Sequence, residues 1–497
     1  MWKRRSRIGI IKAKLVLNGE VMIAIFRGRA ALTASAVMAF LIARGAEPLE
    51  LRIDFARTNG AWRALHGINR GPLVAGGMLD VIEWQRALHI PSTRLHDSHW
   101  PTVDVVDIHA VFPDFTRDPA QAESYDFART DRYLAAVRRT GAQIVYRLGE
   151  SIEHDDLKRY VHPPPDAKKW AQICAGIIRH YNEGWANGSR HDIRYWEIWN
   201  EPENRPACWT GTDDQFLALY ATAAREIKSQ FPKLQVGGPG FGYTGEVRGE
   251  SFRAGGLITN FLAVCRRESL PLDFLSWHCY TDDPHELVVR ARGIRSLLDS
   301  LGFTNAESHL NEWNYLPGKT WTPISKTRGT PESRRRFYSE MAGAPGAAFI
   351  TAALMALQDA PVDAANLFHG ETGPFGLFDI HGAPEKSYFA LRAFAEFLKT
   401  PRRVRVEDKG MIHAAAGLND GGNEAAILVS NLGEPQSSLR VTCENLPWRG
   451  PLRGNVRVVD GANDFSAVTD VKFSSNAVQF TLRRPAVALI SLRPAKD

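Results

Sequence analysis

The sequence predicts a (β/α)8 barrel with an accessory antiparallel β-sandwich, and three observations predict it. From His66 to about residue 400, short apolar strand patterns alternate with helical ones eight times, the rhythm of a closed parallel sheet. Beyond Pro401 the texture changes to short alternating runs separated by Asn-Asp-Gly-Gly, Gly-Glu-Pro and Asp-Gly turns, as antiparallel strands require. Third, two apolar strands stop on carboxylic acids: Tyr195-Trp196-Glu197-Ile198-Trp199-Asn200-Glu201-Pro202, and, 111 positions after Glu201, His309-Leu310-Asn311-Glu312-Trp313-Asn314. The C-terminal ends of barrel strands are where reacting side chains collect.

The elements follow in order. Leu49, Leu51 and Ile53 alternate with charged residues as in a half-exposed strand, which comes too early for the barrel and is assigned to the sandwich. The first barrel strand lies around Gly67–Pro72 and feeds a helix with Val81, Trp84 and Leu88 on one face. The second, Ser92–His96, ends in Arg94-Leu95-His96-Asp97. A long loop, a length usually tied to function, precedes a helix from Asp131, stopped by Gly141, and a third strand, Gln143–Arg147.

Trp170, Ile173, Cys174, Ile177, Ile178 and Tyr181 recur at helical spacing and lead into the strand that ends on Glu201. Thr212-Asp213-Asp214-Gln215 is a capping box opening a helix that Pro232 closes, and Leu234–Gly238 is the fifth strand. The sixth strand, Leu272–Tyr280, ends on His278 and Tyr280; a helix ended by Gly302 returns the chain to the strand of Glu312. An Ala-rich helix over about 346–360, an eighth strand Val362–Phe368 and a helix over about 385–398 complete the barrel. The predicted domains are thus a leader (1–45), a strand joining the sandwich (46–63), the barrel (64–400) and the sandwich (401–497).

Composition narrows the function. The formal charge is +6, but the first 45 residues hold nine Lys/Arg against one Glu. The remaining 52 basic and 54 acidic residues give a net charge of −2, which removes the argument for a nucleic-acid partner. The uncharged stretch Ala30–Ala43, between Arg29 and Arg44, has the shape of a secretory signal peptide, with Met22 a conventional start for it. It is shorter than the ~20 residues of a membrane span, so cleavage near residue 46 and a secreted or periplasmic protein are expected, with no membrane attachment beyond an uncleaved leader. Five scattered cysteines without a CxxC pair argue against a disulfide framework or a zinc site.

Two carboxyls at one barrel mouth suit acetal cleavage, in which one group protonates the leaving oxygen and the other supplies negative charge at the anomeric carbon. Glu201 and Glu312 are the candidate pair, with Glu307 and Glu371 as competitors of Glu312. Asn200 is placed to bond a sugar 2-hydroxyl. Arg94 is the candidate support that keeps the nucleophile ionised. Tyr280 would orient the same carboxylate, and His96 and His278 would bind substrate hydroxyls. Glu197 shares the strand parity of Glu201 and is expected to fill the barrel interior. Trp199, Trp277 and Trp313 are candidates either for sugar stacking or for the core. Glu150, Asp97 and the His369-Gly370-Glu371 loop are expected to shape the pocket.

Gly67-Ile68-Asn69, Arg94-Leu95-His96, Glu197–Pro202, Val236-Gly237-Gly238-Pro239, Ser276–Tyr280 and the strand of Glu312 together resemble glycoside hydrolase family 39 of clan A, the family of β-xylosidases and α-L-iduronidases. The resemblance implies Glu201 as acid/base, Glu312 as nucleophile, and His96, Asn200, His278 and Tyr280 as substrate contacts. It also implies a sandwich partly built from N-terminal residues. Two stretches depart from the xylosidases: Asn311 stands before Glu312 where they show Thr, and Tyr146-Arg147-Leu148-Gly149-Glu150-Ser151 is unlike their loop. The expectation is a retaining glycosidase acting on an oligosaccharide or polysaccharide, β-xylosidic or similar, with no cofactor or metal. An α-L-iduronidase-like, arabinosidase or endo-acting hydrolase is the alternative, and a non-catalytic carbohydrate-binding barrel the alternative of another class. Oligomeric state is not legible in the sequence.

Overall fold

The computed structural model of the protein describes residues 10–17, 20–27, 48–75, 79–99, 102–408, 410–434 and 437–494. The signal-like stretch Ala30–Ala43 and the expected cleavage point lie outside them. Ile10–Leu17 and Glu20–Arg27 pair as an antiparallel hairpin with Leu17 opposite Glu20, an element not predicted from the sequence. This hairpin belongs to an N-terminal unit, and the chain from Glu50 onward forms a second unit.

Eight strands close the barrel of that second unit: β1 (Gly67–Asn69), β2 (Ser92–Leu95), β3 (Gln143–Leu148), β4 (Tyr195–Ile198), β5 (Gln235–Phe241), β6 (Phe274–Thr281), β7 (Glu307–Tyr315) and β8 (Ala364–Leu367). They follow one another around the barrel in chain order, each parallel to its neighbours. The register is broken in β6–β7 between Trp277 and His278, and in β7–β8 between Leu310 and Trp313. Both irregularities lie at the mouth, where a bulge re-aims side chains.

The helices form where local chemistry starts them. Asp166 accepts from the amides of Lys168 and Lys169 to begin Ala167–Asn182, whose six predicted apolar residues are all buried. Thr212 and Gln215 make the reciprocal capping box that opens Asp213–Gln230. Two expectations fail. Trp84 is 44% exposed because its helix is only Ile82–Ala87 and the ring lies edge-on to Tyr388 near the surface. The helix Pro331–Ala342 was not predicted: it carries Arg334-Arg335-Arg336 and buries only Phe337 and Met341, too few apolar residues for a periodic signal. Among the described residues, no single helix is long and apolar enough to cross a membrane.

The sandwich has a seven-stranded and a four-stranded antiparallel sheet. Thr58–Ala61 forms one edge of the first and Leu49–Asp54 one edge of the second, so N-terminal residues complete both sheets. The short strands Arg402–Val404 and Asp464–Ala467 belong to the first sheet and Val471–Phe473 to the second. Arg63, between the edge strands and β1, donates to the carbonyls of Leu357, Gln358, Ala360 and Val362, in the turn that follows the Ala-rich helix.

Candidate active site

The site grows from the end of β4. After Ile198 the chain turns sharply, since Trp199 and Glu201 have φ of 72° and 46°, the left-handed region that side chains seldom adopt. The Trp199 amide donates to Leu148 O, and the Glu201 amide to Pro239 O and Gly240 O, so neighbouring strands hold this backbone in place.

Glu201 Oε1 lies 2.8 Å from His278 Nδ1, and its Oε2 accepts from Asn204 Nδ2 at 2.9 Å. Glu312 Oε1 accepts from the Tyr280 hydroxyl at 2.6 Å and its Oε2 from Arg94 Nη1 at 3.1 Å. One oxygen of each glutamate and a ring nitrogen of His278 all fall within 4.8 Å of one another. The side chains named from the ends of β2, β4, β6 and β7 therefore meet at one mouth.

Arg94 organises the floor. Fully buried, it donates from Nε to Glu197 (2.7 Å), from Nη1 to Asn69 Oδ1 (3.0 Å) and Glu312, and from Nη2 to Asn200 Oδ1 (2.7 Å). Because Asn200 Oδ1 is taken, its amide N–H groups are the part left for a ligand. Glu197 also accepts from Ser276 Oγ (2.6 Å) and Asn311 Nδ2 (2.5 Å), which saturates it as a buried structural carboxylate.

The electrostatics are those of three groups sharing protons. Burial raises the Glu201 carboxyl, but the His278 hydrogen bond and charge outweigh it, and the balance is downward. For Glu312, burial is the largest effect, with the Glu201 charge in the same direction, and His278, Arg94 and Tyr280 offset it only in part; the balance is upward. Burial lowers His278, but Glu312 and Glu201 overcome this and lift it. The shared proton thus rests on His278, against Glu201. His96 is driven well below its ordinary value by burial and by the cations Arg94 and Arg147, and is neutral. Arg147 Nε donates to His96 Nδ1 (3.2 Å), so its proton sits on Nε2.

Other candidates sit elsewhere. Glu307 starts β7 at the opposite barrel end, bonded to His309 and Tyr195. Glu371 is near the mouth, but is paired with Arg70. Trp199, Trp277 and Trp313 are at most 1% exposed and belong to the core. An exposed aromatic that reaches the mouth is instead Trp321, edge-on to Tyr280 at 5.0 Å. Sequence reasoning assigned no part to Asn69, Asn204, Ser276, Asn311 or Glu203. Glu203 is pushed to about 7, by burial first and the Glu201 charge second. Asn311 and Glu312 are consecutive yet both bond into the site, which strict alternation forbids and the register break in β7 permits.

Among the described residues, two groups have ligand atoms close enough to share a cation, Glu201/His278/Glu312 and Asp107/His109/Glu150. In both, donors already occupy carboxylate oxygens: Tyr280, Arg94 and Asn204 in the first, Arg147 and Ser151 on Asp107 in the second. This donor-crowded chemistry opposes a metal.

The profile of glycosyl hydrolases family 39 matches residues 83–408. A β-xylosidase of Geobacillus stearothermophilus is 27% identical over 264 residues, 48% of this chain and 48% of that protein. One of Caldicellulosiruptor saccharolyticus is 25% identical over 312 residues, 57% of each. The chain thus spans about half the length of the curated relatives it matches. A solved glucosidase of Croceicoccus marinus is similar with a TM-score of 0.74 at 25% identity, over 91% of this chain and 100% of that one. A monomeric β-xylosidase of Caulobacter crescentus, with a TM-score of 0.64 at 17% identity over 90% and 100%, is alike in fold.

Proposed function

The chain belongs to glycosyl hydrolase family 39, and on that premise we propose that it is a retaining glycosidase with Glu312 as nucleophile and Glu201 as acid/base. The observation that carries this reading is the approach of the two carboxyls, with oxygens within 4.8 Å. Retaining enzymes hold the pair about 5–5.5 Å apart, whereas inverting ones leave about 6.5–9.5 Å for a water.

In the first half of the reaction Glu312 attacks the anomeric carbon while Glu201 gives its proton to the leaving oxygen, forming a glycosyl ester and a free alcohol. In the second half Glu201 takes a proton from water, which attacks the same carbon and releases Glu312 with the configuration retained. Arg94 and Tyr280 stabilise Glu312 as an anion before attack and as a leaving group afterwards. The proton faces Glu201 Oε1 from His278 Nδ1 at 2.8 Å. A sugar closing the mouth excludes water and favours the neutral pair, Glu201 protonated and His278 neutral. Once Glu312 is an ester its charge is gone, Glu201 loses the repulsion that favoured its proton, and it becomes the base. Asn200, through its free amide, and neutral His96, through Nε2–H, are donors for ring hydroxyls.

The substrate read for this site is a β-xyloside, supported by the two curated relatives. A β-glucoside is the second reading, favoured by the similarity to the Croceicoccus marinus glucosidase over all of that chain. The test is turnover of aryl β-D-xyloside, β-D-glucoside, β-D-galactoside, α-L-arabinoside and α-L-iduronide, with the first-formed anomer followed by NMR. Cleavage with retention, lost in Glu312→Ala, is expected; a first-formed product of inverted configuration would overturn the double displacement.

A further inference from the structure

The end of β3 departs from the xylosidase pattern, and its Arg147 is held in an unusual way. Arg147 lies beside Glu197 in the strand register and is fully buried. Nε donates to His96 Nδ1 at 3.2 Å, and Nη2 to Asp107 Oδ1 at 2.5 Å and Ser151 Oγ at 3.3 Å. Asp107 is itself pinned by the Ser151 amide (2.7 Å) and hydroxyl (3.0 Å), so the plane of the guanidinium is fixed on two sides. Nη1 has no hydrogen-bond partner among the described residues. An arginine offers five donors in a rigid fork and keeps its charge in a protein. Leaving part of that fork buried and unmatched is costly unless a visiting molecule supplies the acceptor.

The neighbours indicate where such an acceptor would come from. His96, which Arg147 touches, also lies near the charges of Arg94 and His278. Those two side chains contact the reacting pair, Arg94 bonding Glu312 and His278 bonding Glu201. The same Arg147–His96 bond leaves His96 donating through Nε2. The ends of two adjacent strands thus bring two donors within one hydrogen bond of each other: Arg147 with its unmatched Nη1, and His96 with its Nε2 3.4 Å from Asp97 Oδ1.

We propose that Arg147 is a specificity-determining residue: with His96 it clamps neighbouring hydroxyls of the sugar bound beside Glu312, and Nη1 holds a ring hydroxyl at C3 or C4. This rests on the glycosidase reading above. It predicts a substrate that presents its C3 and C4 hydroxyls free and unsubstituted, and therefore attack at the non-reducing end of a chain rather than within a run of 3- or 4-linked sugars.

The test compares kcat/KM for the preferred aryl glycoside and its 3-deoxy and 4-deoxy analogues in the wild type and in Arg147→Lys. Lysine keeps a cation for Asp107 but not the planar fork. On the parent glycoside the variant is expected to lose about 10–100-fold, a charged hydrogen bond's worth. On one deoxy analogue the wild type itself falls by at least that factor, and the variant and wild type agree within about twofold. An equal loss on the parent and both analogues would mean a merely structural arginine and overturn the proposal, while the glycosidase reading stands. If the variant fails to fold by near-UV circular dichroism, the wild type decides alone, because indifference to both deoxy positions overturns the clamp. Absence of wild-type turnover on every parent glycoside overturns attack at the non-reducing end, and the clamp with it.

Discussion

At the scale of single residues, Arg94 shows how one side chain coordinates several functions. It bonds the buried Glu197, the proposed nucleophile Glu312 and the side-chain oxygen of Asn200, so removing it leaves two buried carboxylates without their cation. The proposed acid/base and nucleophile give sharper tests. Glu201→Gln should lower turnover of unactivated glycosides about 10²–10⁴-fold, the usual worth of a general acid. The burst from a dinitrophenyl glycoside should be spared, since that leaving group needs no proton; stopped-flow absorbance reads both. Tyr280→Phe removes a donor to charged Glu312, so the carboxyl gains proton affinity. Attack requires the ionised form, and the acid limb of kcat/KM should therefore move to higher pH by up to about one unit. Glu203 carries a pH-dependent stability. Its folded pKa of about 7 lies above the ordinary 4.5, so its contribution is complete below about pH 4.5 and is lost as pH rises through 7. Glu203→Gln should flatten that decline, worth at most about 3 kcal/mol, in urea titrations between pH 4.5 and 8.

At the scale of elements, strand ends and helix starts were legible because their signals are local. The Thr212–Gln215 capping box was read from four residues and formed as read. Thr212→Ala should cost about 1 kcal/mol in chemical unfolding and leave kcat/KM unchanged, the cap lying outside the site. The helix Pro331–Ala342 was missed because its evidence is not local: Phe337 and Met341 are covered by Tyr315 and Leu316 at the end of β7 and by Phe375 from the segment after β8. The register break in β7 was hidden for the same reason, since a bulge is a relation between two strands.

At the scale of the molecule, the barrel is continued into the sandwich through its N-terminal segment. Leu49–Asp54 and Thr58–Ala61 each close one sheet edge, and Arg63 fastens the chain leaving them to four carbonyls near β8. A chain starting at residue 47 is expected to fold and turn over like the full one. A chain starting at residue 64 exposes two sheet edges and should aggregate, a difference visible by size-exclusion chromatography. We also propose that the exported protein starts near residue 46, which intact-mass spectrometry would check; an exported chain retaining Met1 would refute it.

By itself the sequence determined the barrel, the accessory sandwich and the strand ends that carry Glu201 and Glu312, because periodicity, caps and turns are written in neighbouring residues. It also singled out Arg94, Asn200, His96, His278 and Tyr280, all at the ends of strands that share a face. Only the tertiary structure decided that Glu197 is saturated, that Trp199, Trp277 and Trp313 are core while Trp321 reaches the mouth, and that Arg147 fixes His96. The physical reason is distance along the chain: Arg94 gathers partners from positions 69, 197, 200 and 312. Spacing in sequence states which face a side chain occupies, and closure of the barrel decides which side chains meet across it.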